Sequence, residues 1–210
     1  MLVATPAFLA HGRLANFISH GFTIYNSTIM ATTRILLGII CIAVTCSFHL
    51  PERHLLTQKD SQRDLLVRIA TAEIGVKELT GRNDGIKVEA YLAVTGFKKG
   101  NPWCAAFISW VFTTAGFAEP RTAWSPAMFP ASRLTKQCSP GNLLGIYFPD
   151  LKRIGHVGMI EKLDGDWCIS VEGNTNITGS REGDGVYLKR RHRKTIYKMA
   201  DWVSAVKLLP

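Results

Sequence analysis

Asn101-Pro102-Trp103-Cys104-Ala105-Ala106-Phe107-Ile108-Ser109-Trp110 places one cysteine where an apolar helix begins, directly behind a proline and a tryptophan. The first peptide N–H groups of a helix have no internal acceptor and carry partial positive charge, so a thiolate there is favoured over a thiol. A free cysteine titrates near pH ~8.5, and such a setting can bring it below neutrality. A plainer reading fits the same residues. Cys104, Phe107, Ile108 and Val111 follow the i, i+3, i+4, i+7 rule, so a cysteine buried in the core explains the pattern equally well.

A histidine downstream bears on the choice. Gly155-His156-Val157-Gly158-Met159-Ile160-Glu161 reads as a strand, Trp167-Cys168-Ile169-Ser170-Val171-Glu172-Gly173-Asn174 as a second, and Asp164-Gly165-Asp166 as the hairpin turn between them. With a three-residue loop, Leu163 pairs with Trp167, His156 lies opposite Asn174, and Glu172 stands on the diagonal from His156 within side-chain reach. A two-residue loop sends Glu172 to the other face, because a slip of one residue inverts every side chain. A carboxylate or amide beside an imidazole fixes its tautomer and leaves the other ring nitrogen to take a proton from a thiol. Glu172 and Asn174 also read as strand-end and turn residues, with Gly173 supplying a bend.

Trp103-Cys104-Ala105-Ala106-Phe107, then Gly155-His156-Val157-Gly158, then Val171-Glu172-Gly173-Asn174 together resemble the motifs of the CHAP domain, the cysteine, histidine-dependent amidohydrolase/peptidase group related to NlpC/P60 enzymes. The resemblance runs from about Leu65 to about Val203 and includes the Ala72-Glu73-Ile74-Gly75 helix end and the Asn83-Asp84-Gly85 turn. It implies an α+β, papain-like fold in which N-terminal helices carrying the cysteine pack on an antiparallel β-sheet carrying the histidine. It also implies cleavage of amide bonds in bacterial peptidoglycan, by an amidase or endopeptidase working through a thioester acyl-enzyme. By position Cys104 is the nucleophile, His156 the base, Glu172 the residue that orients it, and Asn174 a further polar member. The Cys104 backbone N–H is the natural first oxyanion donor. Trp103 and Trp124 are the candidate substrate-binding side chains. Relatives often carry an aspartate after the Pro-Gly before the histidine strand, where this chain has Asn142. Some bind calcium ahead of the cysteine; here Asp84 and Glu89 offer too few oxygens, so neither a metal nor a cofactor is expected.

The chain has 210 residues, 47% of them hydrophobic and 20% charged, which fits one globular domain plus a leader. Ile35 to Val44 is an apolar run behind Arg34, too short for a membrane span of ~20 residues and suited to the core of a secretory signal. Residues 1–50 are therefore read as an export leader, with Met30 as a possible true start, 51–64 as a connector and 65–210 as the hydrolase domain. Ala43-Val44-Thr45-Cys46 loosely resembles a lipoprotein attachment box, so the leader is either cleaved or lipid-anchored, and membrane contact is expected only through it. An exported, monomeric protein of the cell envelope or medium follows. With Cys41 and Cys46 in the leader, Cys138 and Cys168 can pair in an oxidising compartment and leave Cys104 as the odd thiol, although free buried cysteines are also ordinary.

Helical spacing covers 60–75, 86–95 and 103–115, the second with Val88, Tyr91 and Leu92 inward. A proline-rich connection from Ala118 to Gly141, containing Trp124, either walls a substrate cleft or wraps the surface. Strands are expected near 143–148, 156–162, 167–172, 185–190 and in pieces over 196–209. The net charge of +9 is concentrated partly in Lys189-Arg190-Arg191-His192-Arg193-Lys194, read as a solvated hairpin turn. Nucleic acid is not expected as a partner, because no binding motif accompanies the charge. Peptidoglycan is the expected partner. Two other readings remain: a non-catalytic wall-binding module on the same fold, and an acyl-transferring relative.

Overall fold

The computed structural model describes residues 58, 60–178 and 183–204, all within one compact unit, Leu56–Pro210. The expected leader over 1–50, with Cys41, Cys46 and Met30, and the expected final strand piece after 204 lie outside the described residues. Among the described residues no helix is long and apolar enough to cross a membrane.

Among the described residues, three α-helices and a six-stranded antiparallel sheet give an α+β architecture. Helix α1 spans 60–72, including 60–64 at the end of the expected connector. It buries Leu66 and Ala70 one turn apart and turns Arg63 onto the sheet. There the guanidinium donates to Asn142 Oδ1 at 2.7 Å and pairs with Asp201 at 2.7 Å. Asn142 is therefore part of the scaffold that holds α1. Helix α2, Ile86–Ala93, buries Val88, Tyr91 and Leu92, the stripe read from the spacing.

Helix α3, Cys104–Thr114, is buried almost all round, from Cys104 to Ser109 and at Val111 and Phe112, so it occupies the centre of the fold. Its end is closed by Gly116, whose φ of 84° no β-carbon opposes. Gly116 N–H bonds to Thr113 O at 3.0 Å and Phe117 N–H to Phe112 O at 2.9 Å. The Phe112 and Phe117 rings meet edge to face at 5.3 Å, the hydrophobic contact that accompanies such an ending.

The strands are β1 Leu134–Thr135, β2 Leu143–Phe148, β3 Arg153–Asp164, β4 Trp167–Thr175, β5 Gly185–His192 and β6 Lys198–Ala200, in the order β1-β6-β2-β3-β4-β5. Leu143, Val157, Met159 and Val171 join the main core with Phe107 and Phe112, whereas Leu144, Ile160 and Cys168 form a smaller cluster. Cys138 and Cys168 are joined by a disulfide, which ties the long connection to β4.

The β3–β4 turn takes the shorter of the two loops weighed in the sequence. Asp164 pairs with Trp167, so only Gly165 and Asp166 form the loop, and Gly165 takes a φ of 57°. A loop of that length would invert the faces, but the register shifts between Ile160 and Lys162. Glu161 is the extra residue of a β-bulge, and it restores the pairing Met159↔Val171 that the longer loop would have given.

Candidate active site

Cys104 is the first residue of α3, and the chain before it is held from three sides. Trp103 is fully buried, its ring packed on Tyr91 at 5.6 Å and Phe107 at 6.5 Å, and its indole N–H donates to Glu78 Oε1 at 2.8 Å. Gly173 on β4 lets this corner come close. A β-carbon there would stand 2.8 Å from both Phe107 and Trp103, so only glycine allows the helix start to lie against the strand. Trp103, expected to touch substrate, has no exposed surface; its role is to fix where α3 begins.

The recorded β3–β4 pairs stop at Met159↔Val171, although both strands continue. Past that point His156 and Val157 face Cys104. The sulfur stands 3.3 Å from Ser125 Oγ and is coupled electrostatically to the His156 ring and, more weakly, to the Val157 backbone N–H. His156 Nε2 is 2.9 Å from Glu172 Oε2, which leaves Nδ1 as the ring nitrogen for the sulfur.

Glu172 is fully buried and fully partnered. Besides His156 it accepts from Ser170 Oγ at 2.7 Å and from Arg191 through two bonds, Nε at 2.9 Å and a terminal nitrogen at 2.6 Å. Burial alone would push this carboxyl up, but Arg191 and then His156 hold it well below the usual carboxylate range. For His156, burial opposes the charge, yet the hydrogen bonds of Cys104 and Glu172 and their Coulombic attraction push the ring up to about 10. Burial likewise pushes the Cys104 thiol up. The hydrogen bond and charge of His156, with smaller help from Ser125 and the Val157 N–H, outweigh it and hold the thiol below its ordinary value. Each shift favours the charged form of its group, so the thiol, the imidazole and the guanidinium-anchored carboxylate support one another's charges.

No family model matches the chain, and no curated protein matches it. Two solved structures do. They are the crystal structure of Ly7917 and that of Ly7917 with the hydrolyzing product of MDP, 16% and 15% identical to this chain, each with a TM-score of 0.37. Each match covers 66% of this chain and 61% or 62% of the other, so the chain spans less than two thirds of those proteins. Likeness at that level carries no argument about chemistry.

The structure brings together Cys104, His156 and Glu172. Asn174 has a φ of 53° and lies where the β4–β5 register shifts, and no described hydrogen bond joins its side chain to His156. Trp124 is 52% exposed and immediately precedes Ser125. Four contributors escaped the sequence reading: Ser125, Val157 N–H, Ser170 and Arg191. Ser170 was legible, because it lies two residues before Glu172 and so shares its face. Arg191 was hidden in the basic run taken for a solvated turn; β5 in fact extends to His192 and pairs Arg191 with Cys168. Its neighbour Arg190 stays outside, 4.3 Å from the Trp167 ring.

Proposed function

We propose that this chain is a cysteine hydrolase that cleaves amide bonds of bacterial peptidoglycan, with Cys104 as nucleophile, His156 as general acid and base, and Glu172 as the orienting carboxylate. The observation that carries the reading is the buried Cys104–His156–Glu172 series, with Nε2 of the ring bound to the carboxylate at 2.9 Å. A core cysteine needs no imidazolium beside it, and a pure binding module needs no thiolate. The peptidoglycan substrate and the papain-like classification rest on the resemblance of the three sequence motifs to CHAP domains. Export through a leader over 1–50, cleaved or lipidated, and a hydrolase domain over 65–210 complete the proposal.

The thiolate attacks the amide carbonyl carbon, and the C–O π electrons move to oxygen. Cys104 N–H, at a helix start with no intrahelical acceptor, donates to that oxyanion. His156 passes its proton to the leaving nitrogen as the C–N bond breaks, which releases an amine and leaves a thioester. The ring, now neutral, takes a proton from water as the hydroxide adds to the thioester. Collapse returns the thiolate, frees the carboxylic acid and leaves the imidazolium. Glu172, pinned by Arg191 and Ser170, keeps the ring in one orientation through both halves.

Mass spectrometry of purified peptidoglycan incubated with the wild-type chain should show new amine and carboxylate ends, absent with Cys104→Ala. Equal wall binding by both proteins and no cleaved bond, from folded samples, would instead mark a binding module. Product joined to an added amine would mark acyl transfer.

A further inference from the structure

Arg153 and Trp124 are stacked on each other, and each is close in the chain to a residue of the thiol's surroundings. Trp124 directly precedes Ser125, whose hydroxyl stands 3.3 Å from the sulfur, and Arg153 begins β3, three residues before His156. In a regular strand an odd spacing would send Arg153 and His156 to opposite faces. The register prevents this. Ile146 pairs with His156 and Phe148 with Arg153, with a shift between Ile146 and Tyr147 that leaves Gly155 as the extra residue. Ile146 and Phe148 are two apart and share a face of β2, so Arg153 is brought to the face of His156. Gly155 permits the bulge, because a β-carbon there would overlap the Phe148 ring at 2.2 Å.

The Arg153 guanidinium lies 4.1 Å from the centre of the Trp124 ring, which is 52% exposed. One terminal nitrogen donates to Ile154 O at 3.0 Å. No carboxylate pairs with Arg153 among the described residues, whereas Arg63 is neutralised by Asp201 and Arg191 by Glu172. A guanidinium stacked on an indole is held flat and keeps the remaining N–H groups of its fork for a planar anion. We propose that Arg153, backed by Trp124, binds a free carboxylate on the peptide whose amide bond faces Cys104, which makes the site selective for acidic over amidated peptides. That this peptide is a substrate rests on the hydrolase reading; the charge preference does not require the thiol to react.

The test is calorimetric binding to the full chain carrying Cys104→Ala, with N-acetyl-L-alanyl-D-glutamate and its diamide as probes. They differ only at the two carboxyl positions, where the diamide lacks the charge and carries N–H donors in place of an acceptor oxygen. The diacid is expected to bind about 10-fold tighter than the diamide, an advantage that shrinks with added salt and disappears with Arg153→Gln. Arg153→Lys should retain part of it, and circular dichroism checks that each variant folds. Equal affinity for the two probes, no detectable binding of the diacid, or a preference that survives Arg153→Gln overturns the proposal. A preference in a protein whose wild type cleaves nothing would sink the hydrolase reading and leave the subsite standing; cleavage without a preference would do the reverse.

Discussion

His156 on β3 meets Glu172 on β4 at 2.9 Å, and the meeting depends on the bulge at Glu161, five residues along β3 from His156. The two-residue turn alone would have put the carboxylate on the far side of the sheet. The bulge at Glu161 turns β4 back into register, so the site's geometry is set partly at the turn end of the hairpin.

The state of the thiol can be read by alkylation. Iodoacetamide modification of Cys104, followed by peptide mapping to separate it from other cysteines, should reach half its limiting rate below the ~8.5 of a free thiol. His156→Ala should move that midpoint upward, because burial then acts on the thiol without its main opponent. An unchanged midpoint would show that the imidazole does not hold the thiolate.

Activity should follow a bell in pH. The acid limb belongs to Cys104, held below its ordinary value, and the alkaline limb falls near 10, where His156 loses its proton. Stability has a matching signature. The folded value of His156 is raised, so its contribution is complete below the unfolded value of 6.5 and is lost as pH rises through about 10. Cys104 and Glu172 have lowered folded values, so their contributions are present above the unfolded values of 9.0 and 4.5 and are lost as pH falls through the folded ones. Between 9.0 and about 10 the folded chain keeps the His156 proton after the unfolded chain has lost both, and melting temperature should fall with pH. The double variant Cys104→Ser, His156→Gln, which removes both titrating groups, should flatten that decline.

Arg191→Met removes two hydrogen bonds from a carboxylate with no access to water. Breaking such a pair from one side costs about 3–5 kcal/mol, and the lower end is expected because the Arg191 side chain is 25% exposed. Urea denaturation measures the loss. Glu172 should also rise toward protonation, which weakens its hold on His156 and moves the alkaline limb of the activity profile to lower pH. Arg191→Lys should recover part of both. A stability loss with an unmoved alkaline limb would make Arg191 a purely structural residue.

Gly158→Ala tests positioning without removing any reacting group. The added β-carbon would stand 2.5 Å from Glu172 Cγ, so the carboxylate must shift away from the ring. Overpacking of this kind costs about 1–3 kcal/mol. The larger effect should be on kcat, reduced about 100-fold through misplacement of the base. Near wild-type kcat in a folded variant would show that Glu172 is dispensable for orientation.

Local patterns carried much of the architecture. The stripe Val88, Tyr91 and Leu92 placed α2, the apolar run behind Trp103 placed α3 and its cysteine, and β2 lies over the residues its β-type pattern marked, because side-chain periodicity and helix or turn signals act over a few residues. The alternation of Ser170 and Glu172 was equally local. Other features depended on segments far apart in the chain. The burial of Trp103 follows from Gly173 and Glu78, the approach of Ser125 from a long connection folding back on α3, and the inward turn of Arg191 from its pairing with β4. A glycine such as Gly155 hints at a bulge, but nothing local marks the one at Glu161, although each reverses which face a side chain occupies. The sequence by itself determined which residues could carry nucleophile, base and carboxylate; only the tertiary structure decided that Arg191 and Ser170 would hold the carboxylate, because strand register is settled by the packing of the whole sheet.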